Sequence, residues 1–227
     1  MPNPALIIFD CDGVLIDSEV ISARMLIAEL RGYGVEMDMG FVSRHFLGRS
    51  YPAVLAEVRT RWGVALPDSF EADYRARLLA AFERELAVMP GVVQTIQALR
   101  LPYCLATSSS PERLRHSLAV SGLAPLFAGC SFTASEVARG KPAPDLFLHA
   151  ARRMAVAPAA CIVIEDSLNG VRAGLAAGMT VWRFTGGSHL TGLDLTPPED
   201  ALPHASYADF ASLRARNPDL FHTRALA

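Results

Sequence analysis

Lysine is almost missing from this sequence: of 21 basic residues, Lys141 alone is a lysine and the rest are arginines. A chain that uses arginine nearly everywhere yet keeps one lysine suggests a position that needs a compact ammonium, with chance as the plain alternative. Surplus charge is missing too. The formal net charge is −2, without the basic excess of a nucleic-acid binder, so no nucleic-acid partner is expected. Long apolar runs are absent, and so no membrane span is expected. The opening Met1-Pro2-Asn3-Pro4 carries no positive charge, and the apolar run after it stops at Asp10, which is unlike a signal peptide. Cysteine is scarce and unpatterned. Cys11, Cys104, Cys130 and Cys161 have no CxxC spacing and no histidine nearby, and read as small buried hydrophobes. A cytoplasmic location follows as the expectation.

What is present is enough apolar residue, 51% of 227, to bury a sizeable core in one large domain or in a domain plus an insert. Four short apolar runs without alternation, at 5–10, 103–108, 161–166 and 180–185, have the pattern of strands covered on both faces. A weaker run at 127–133 adds another. Helical patterns at 92–100, 111–121, 145–154 and 168–177 alternate with them. Ser110 is a cap candidate before Pro111, and Gly178 a helix stop. Strand–helix alternation implies an α/β doubly wound parallel sheet. Residues 18–88 break the alternation and read as helices at 19–32, 51–62 and 70–85. The expected division is a core of 1–17 and 89–227 with a helical insert, 18–88, after the first strand. The tail after Gly186 is loop-rich, with Pro197-Pro198, and gives no clear element.

Chemistry gathers at the ends of the strands. The first ends in Asp10-Cys11-Asp12-Gly13, and side chains two apart on a strand share a face. Both carboxylates then point together from the carboxyl edge, where open α/β sheets bind ligands. Such a pair suits a hard cation, a nucleophile beside an acid, or both; taken alone it is also compatible with a solvated turn. The second strand ends in hydroxyls, Thr107-Ser108-Ser109, and the third in Glu165-Asp166. Lys141 lies just before a helix. On one rim these groups suit a transferring phosphoryl group. The sequence Gly140-Lys141-Pro142, with Ser135 at the first glycine position, is not a Walker A loop, and GxGxxG, HExxH and GxSxG are absent. The six histidines are scattered, with His45, His116 and His149 read as surface or helix residues.

Four segments in this order, DCDGVLIDSE (10–19), LATSS (105–109), GKPAPD (140–145) and IEDSLNG (164–170), make the chain similar to the haloacid dehalogenase superfamily. Within it they resemble the branch with a helical cap after the first strand, which holds sugar-phosphate phosphatases and β-phosphoglucomutase-like enzymes. The resemblance implies a Rossmann-like core and a phosphatase acting on a small phosphate monoester, such as a sugar phosphate or phosphorylated sugar acid. Asp10 would attack phosphorus, and Asp12 would protonate the leaving alkoxide and then activate water. Asp10, Asp166, the Asp12 carbonyl and Glu165, the last a less direct ligand, would hold Mg²⁺. Thr107 and the Ser108 N–H would bind phosphate, Lys141 would neutralise charge, and the insert would close as a lid. Glu19 at the hinge, Arg49 in the cap and Asn169 are the expected substrate-side residues. A monomer is expected, and a dimer is not excluded.

Other activities of the superfamily fit less well. Dehalogenases lack the second Asp, and phosphonate hydrolases need a cap lysine that this chain lacks. β-Phosphoglucomutases carry a histidine a few residues past the Asp-Ser step as well as a cap lysine; here Ser22 and an all-arginine cap occupy those regions. Receiver signalling modules also use Asp, Thr/Ser and Lys, but they are shorter, have no cap and lack the DxD pair.

Overall fold

A computed structural model describes residues 3–222. Among these, parallel strands β1 (Leu6–Phe9), β2 (Tyr103–Thr107), β3 (Ser131–Thr133), β4 (Cys161–Glu165), β5 (Thr180–Phe184) and β6 (Ala205–Tyr207) form one sheet in the order β3-β2-β1-β4-β5-β6. The expected doubly wound α/β fold is therefore present. β1 lies centrally, and the chain departs to β2 on one side and β4 on the other, which opens a crevice at the carboxyl edge.

The apolar strand runs are buried on both faces. Ile7, Phe9, Leu105, Ile162 and Ile164 pack against α5 (Val92–Ala98), α6 (Pro111–Val120) and α9 (Phe210–Arg216). Their neighbours Leu6, Ile8, Cys104, Ala106 and Val163 pack against α7 (Asp145–Arg153) and α8 (Leu168–Ala176). This period-two division explains why the strands read as unbroken apolar runs. Ser110 caps α6 by accepting from the Arg113 N–H, with Pro111 at the first position.

Residues 18–88 hold α1 (Glu19–Arg31), α2 (Met39–His45), α3 (Tyr51–Trp62) and α4 (Phe70–Glu85), which share their own apolar cluster built on Leu30, Leu55, Val58, Tyr74, Leu78 and Phe82. The two linkers run side by side: the Asp17 N–H donates to the Ala87 carbonyl and the Met89 N–H to the Leu15 carbonyl, each at 2.9 Å. No described helix is long and apolar enough to cross a membrane.

Three expectations need correction. α2 was not expected. It is a single short helix rich in poor helix formers, started by Asp38, whose carboxylate accepts from the Phe41 N–H at 2.7 Å. The weak run at 127–133 contains a strand only at Ser131–Thr133, because Phe127 ends a 3₁₀ turn and Gly129 adopts a positive φ of 78°. The tail is not all loop: it adds edge strand β6 and α9, the latter capped by Asp209.

Candidate active site

The sheet brings the expected residues to one edge. Asp10 follows β1, its N–H bonded to the Ile164 carbonyl at 2.9 Å. The chain then turns tightly at Gly13. There φ is +79°, and a Cβ would stand 2.0 Å from Asp166 Oδ2, so only glycine fits. Lys141 arrives from the loop before α7. Its buried ammonium donates to Asp10 Oδ1 and Glu165 Oε1, both at 2.7 Å, and to the Ala106 carbonyl at 3.2 Å. With three donors and three acceptors, this lysine is fully satisfied. Burial works against its charge, but Asp10 and Glu165 prevail and hold its pKa above the ordinary value.

Asp10, Glu165 and Asp166 bring ligand oxygens within 4.8 Å of one another. Three carboxylates thus face one ammonium. Burial pushes Asp10 and Asp166 well above the usual carboxylate range; Lys141 pulls both down, and the neighbouring acids add to the rise. A buried cluster with excess negative charge and hard oxygen donors fits a hard divalent cation. Glu165 is the least available ligand. Oε1 is held by Lys141, while Oε2 accepts from the Ser167 N–H at 2.8 Å and its hydroxyl at 3.0 Å.

Asp12 faces away from that cluster. Its Oδ1 accepts from Ser18 Oγ at 2.5 Å and Arg113 Nη2 at 2.7 Å; its Oδ2 accepts from Ser109 Oγ at 2.7 Å and Thr107 Oγ1 at 3.3 Å. Burial raises its pKa, but Arg113 and the hydroxyls outweigh burial and hold Asp12 below its ordinary value.

A cavity of 360 Å³ opens between these groups and the helices of 18–88, lined by Asp10, Asp12, Glu19, Arg49, Thr107 and Arg113 among others. Its volume suits a small ligand. Glu19 is pushed up to about 7 by burial and by the charge of Asp12. Arg49 lies on the wall, but its guanidinium is paired with Glu57 and also donates to the His45 carbonyl. Ser108 Oγ donates to the Gly48 carbonyl and Asn169 Nδ2 to the Leu47 carbonyl, both at 2.8 Å, so these two side chains hold the 47–48 loop against the core.

Two residues at the site were missed in the sequence. Arg113 sits in the first turn of α6, and its only signal was that α6 starts at the carboxyl edge after the Thr107-Ser108-Ser109 run. His189 is buried with Nε2 2.9 Å from Asp166 Oδ2. It follows β5 in the Gly186-Gly187-Ser188 segment, and a strand end at the same edge was the available clue.

A family model of haloacid dehalogenase-like hydrolases matches residues 4–178. The 6-phosphogluconate phosphatase of Escherichia coli is 32% identical over 185 residues, covering 81% of this chain and 83% of that protein. Hexitol phosphatase A of the same organism is 32% identical over 191 residues, covering 77% and 80%. Among solved structures, a haloacid dehalogenase-like protein of Agrobacterium tumefaciens superposes with a TM-score of 0.78 at 33% identity, over 96% of this chain and 99% of that one. A β-phosphoglucomutase-like structure from Thermotoga maritima, at 22% identity and a TM-score of 0.66, shares the fold. With its motifs in order, its strand ends converged on one carboxylate–lysine site and its family model spanning most of the chain, this protein belongs to the haloacid dehalogenase-like hydrolases.

Proposed function

We propose that the protein is a Mg²⁺-dependent phosphatase that hydrolyses a small phosphate monoester, of the sugar-phosphate class, through an aspartyl-phosphate on Asp10. The observation that carries this reading is the division of two neighbouring carboxylates. Asp10 lies against Lys141 and the acidic cluster, whereas Asp12 is turned toward Arg113 and the hydroxyls on the cavity wall. The relatives that act on 6-phosphogluconate and hexitol phosphates support the substrate class.

Asp10 and Asp166, with Glu165 behind them, would hold Mg²⁺, which supplies positive charge beside the phosphoryl oxygens. In the first step an Asp10 oxygen bonds to phosphorus as the ester P–O bond breaks, and the leaving alkoxide takes a proton from Asp12. In the second, Asp12 takes a proton from water, the water oxygen bonds to phosphorus, and Asp10 and inorganic phosphate are released. Lys141 counters the charge of Asp10 from behind, and Thr107, on the cavity wall, faces the phosphate. Splitting the reaction in this way lowers a barrier that in water is among the highest in biology. The helices of 18–88 act as a cap that excludes water from the cavity. The partner is a small phosphate ester in solution.

The test is phosphate release from a panel of sugar phosphates and phosphorylated sugar acids, with and without chelator. Release without a bisphosphate activator, lost in EDTA and restored by Mg²⁺, is expected. Conversion of β-glucose 1-phosphate to glucose 6-phosphate faster than phosphate appears would favour the mutase, and full activity in EDTA would remove the metal.

A further inference from the structure

The turn Ser188–Leu190, which follows β5, touches three parts of the molecule at once. The His189 imidazole lies with Nε2 2.9 Å from Asp166 Oδ2, out of line for a hydrogen bond, and neither ring nitrogen has a hydrogen-bond partner among the described residues. The next residue, Leu190, is buried in the apolar cluster of the cap rather than in the core, and the turn packs against α1 and α2. The Ser188 N–H donates at 3.1 Å to Asp17 Oδ1, in the linker to the cap.

The seat of the imidazole is built for it. A Cβ at Gly187 would stand 2.6 Å from His189 Cε1, and one at Gly13 would stand 2.9 Å from the same atom and 2.0 Å from Asp166 Oδ2. Two glycines therefore leave the space in which a ring can lie against this carboxylate. A buried histidine with no other partner is costly to maintain unless its nitrogen is used. The ring atom nearest the carboxylate is Nε2, 2.9 Å from Asp166 Oδ2, an oxygen that itself has no hydrogen-bond partner among the described residues.

We infer that His189 is a positioning residue for Asp166, and that Leu190 couples it to the cap, so that cap packing and cation affinity depend on each other. The inference rests on the assignment of Asp10 and Asp166 as cation ligands. Partners behind a ligating carboxylate fix its orientation, and their loss commonly weakens metal binding by about 10–100-fold. Leu190 is buried in the apolar cluster of the cap and adjoins His189 in the same turn, which gives its truncation a route to the cation site.

The experiment is calorimetric titration of the full chain with Mg²⁺ in the absence of substrate, alongside thermal unfolding. His189→Phe, which keeps a ring but has no N–H, should raise the Kd for Mg²⁺ about 10–100-fold, and His189→Gln, which keeps a donor, should recover much of it. Leu190→Ala should raise the Kd several-fold at temperatures where the variant is folded. If the wild type binds Mg²⁺ and His189→Phe binds it equally well, the positioning role is overturned. Equal weakening by Phe and Gln would overturn it as well, since the donor would not matter. An unchanged Kd in Leu190→Ala would overturn the coupling. If the wild type shows no saturable binding, the cation site itself is wrong and the inference falls with it.

Discussion

Arg113 holds Asp12. Its Nη2 lies 2.7 Å from Asp12 Oδ1 and 3.1 Å from Ser22 Oγ of cap helix α1, while the guanidinium covers the Phe82 ring of α4 at 5.3 Å. One side chain of α6 thus grips the proposed acid–base and touches two helices of residues 18–88. With Arg113 in place the Asp12 carboxyl is held ionised, the state needed to activate water. To protonate a leaving group, Asp12 must be freed from this contact when substrate fills the cavity.

Replacing Arg113 with Met should therefore raise the pKa of Asp12. The sign follows from the pair: Arg113 lowers that pKa, so its loss moves the acidic limb of the pH–rate profile for intermediate hydrolysis to higher pH. The check is single-turnover decay of the phosphoenzyme between about pH 4 and 8, a range spanning the ordinary carboxylate value. An acidic limb at the wild-type position would show that Arg113 does not set the ionisation of Asp12.

Asp12→Ala separates the two carboxylates. It should slow phosphoryl transfer from sugar phosphates, whose leaving groups are basic, by roughly 10²–10⁴. Transfer from an aryl phosphate, which leaves with little protonation, should slow less. Equal losses in single-turnover kinetics with both esters would remove Asp12 as general acid. Asp10→Asn should abolish steady-state turnover of both esters and all covalent labelling, because an amide is a poor nucleophile and a poorer cation ligand.

Lys141→Met removes the one ammonium among three buried carboxylates and should cost about 3–5 kcal/mol in urea unfolding, the penalty for breaking a buried pair. Mg²⁺ should restore part of that loss and raise the Tm of the variant more than that of the wild type. Lys141→Arg should not rescue activity, since a planar fork cannot replace three convergent hydrogen bonds from one nitrogen. An equal Mg²⁺ response in both proteins would show that lysine and cation do not share the same carboxylates.

Glu19 gives a stability test. Its folded pKa, about 7, is above the 4.5 of an unperturbed glutamate. A raised carboxyl pKa means that the folded state binds the proton more tightly, so this contribution to stability is full below about pH 4.5 and is lost as pH rises through 7. Urea unfolding of wild type and Glu19→Gln should show the variant gaining relative stability between pH 5 and 8. Parallel pH dependences would show that Glu19 titrates as an exposed residue.

The sequence by itself determined the sheet and most of its chemical edge. Runs such as LIIF at Leu6–Phe9 are apolar on both faces, and their alternation with helical segments fits doubly covered parallel strands, each of which delivers its terminal residues to the same rim. Asp10, Asp12, Thr107, Glu165 and Asp166 were legible because they stand at strand ends, and Lys141 because it is the single lysine and precedes a helix. The tertiary structure decided what those groups meet. Arg113 is one arginine among many until α6 carries it under the cap, and His189 is one residue of a loop until β5 sets it beside Asp166. Arg49 is a free cation in the sequence and the partner of Glu57 in the fold. Short elements such as α2 and β6 were illegible for a related reason: too brief to carry a period, they are held by a cap or by a neighbouring strand rather than by their own residues. Pairing across 101 positions, as between Asp12 and Arg113, leaves no local pattern, because it is created by packing and not by the spacing of residues along the chain.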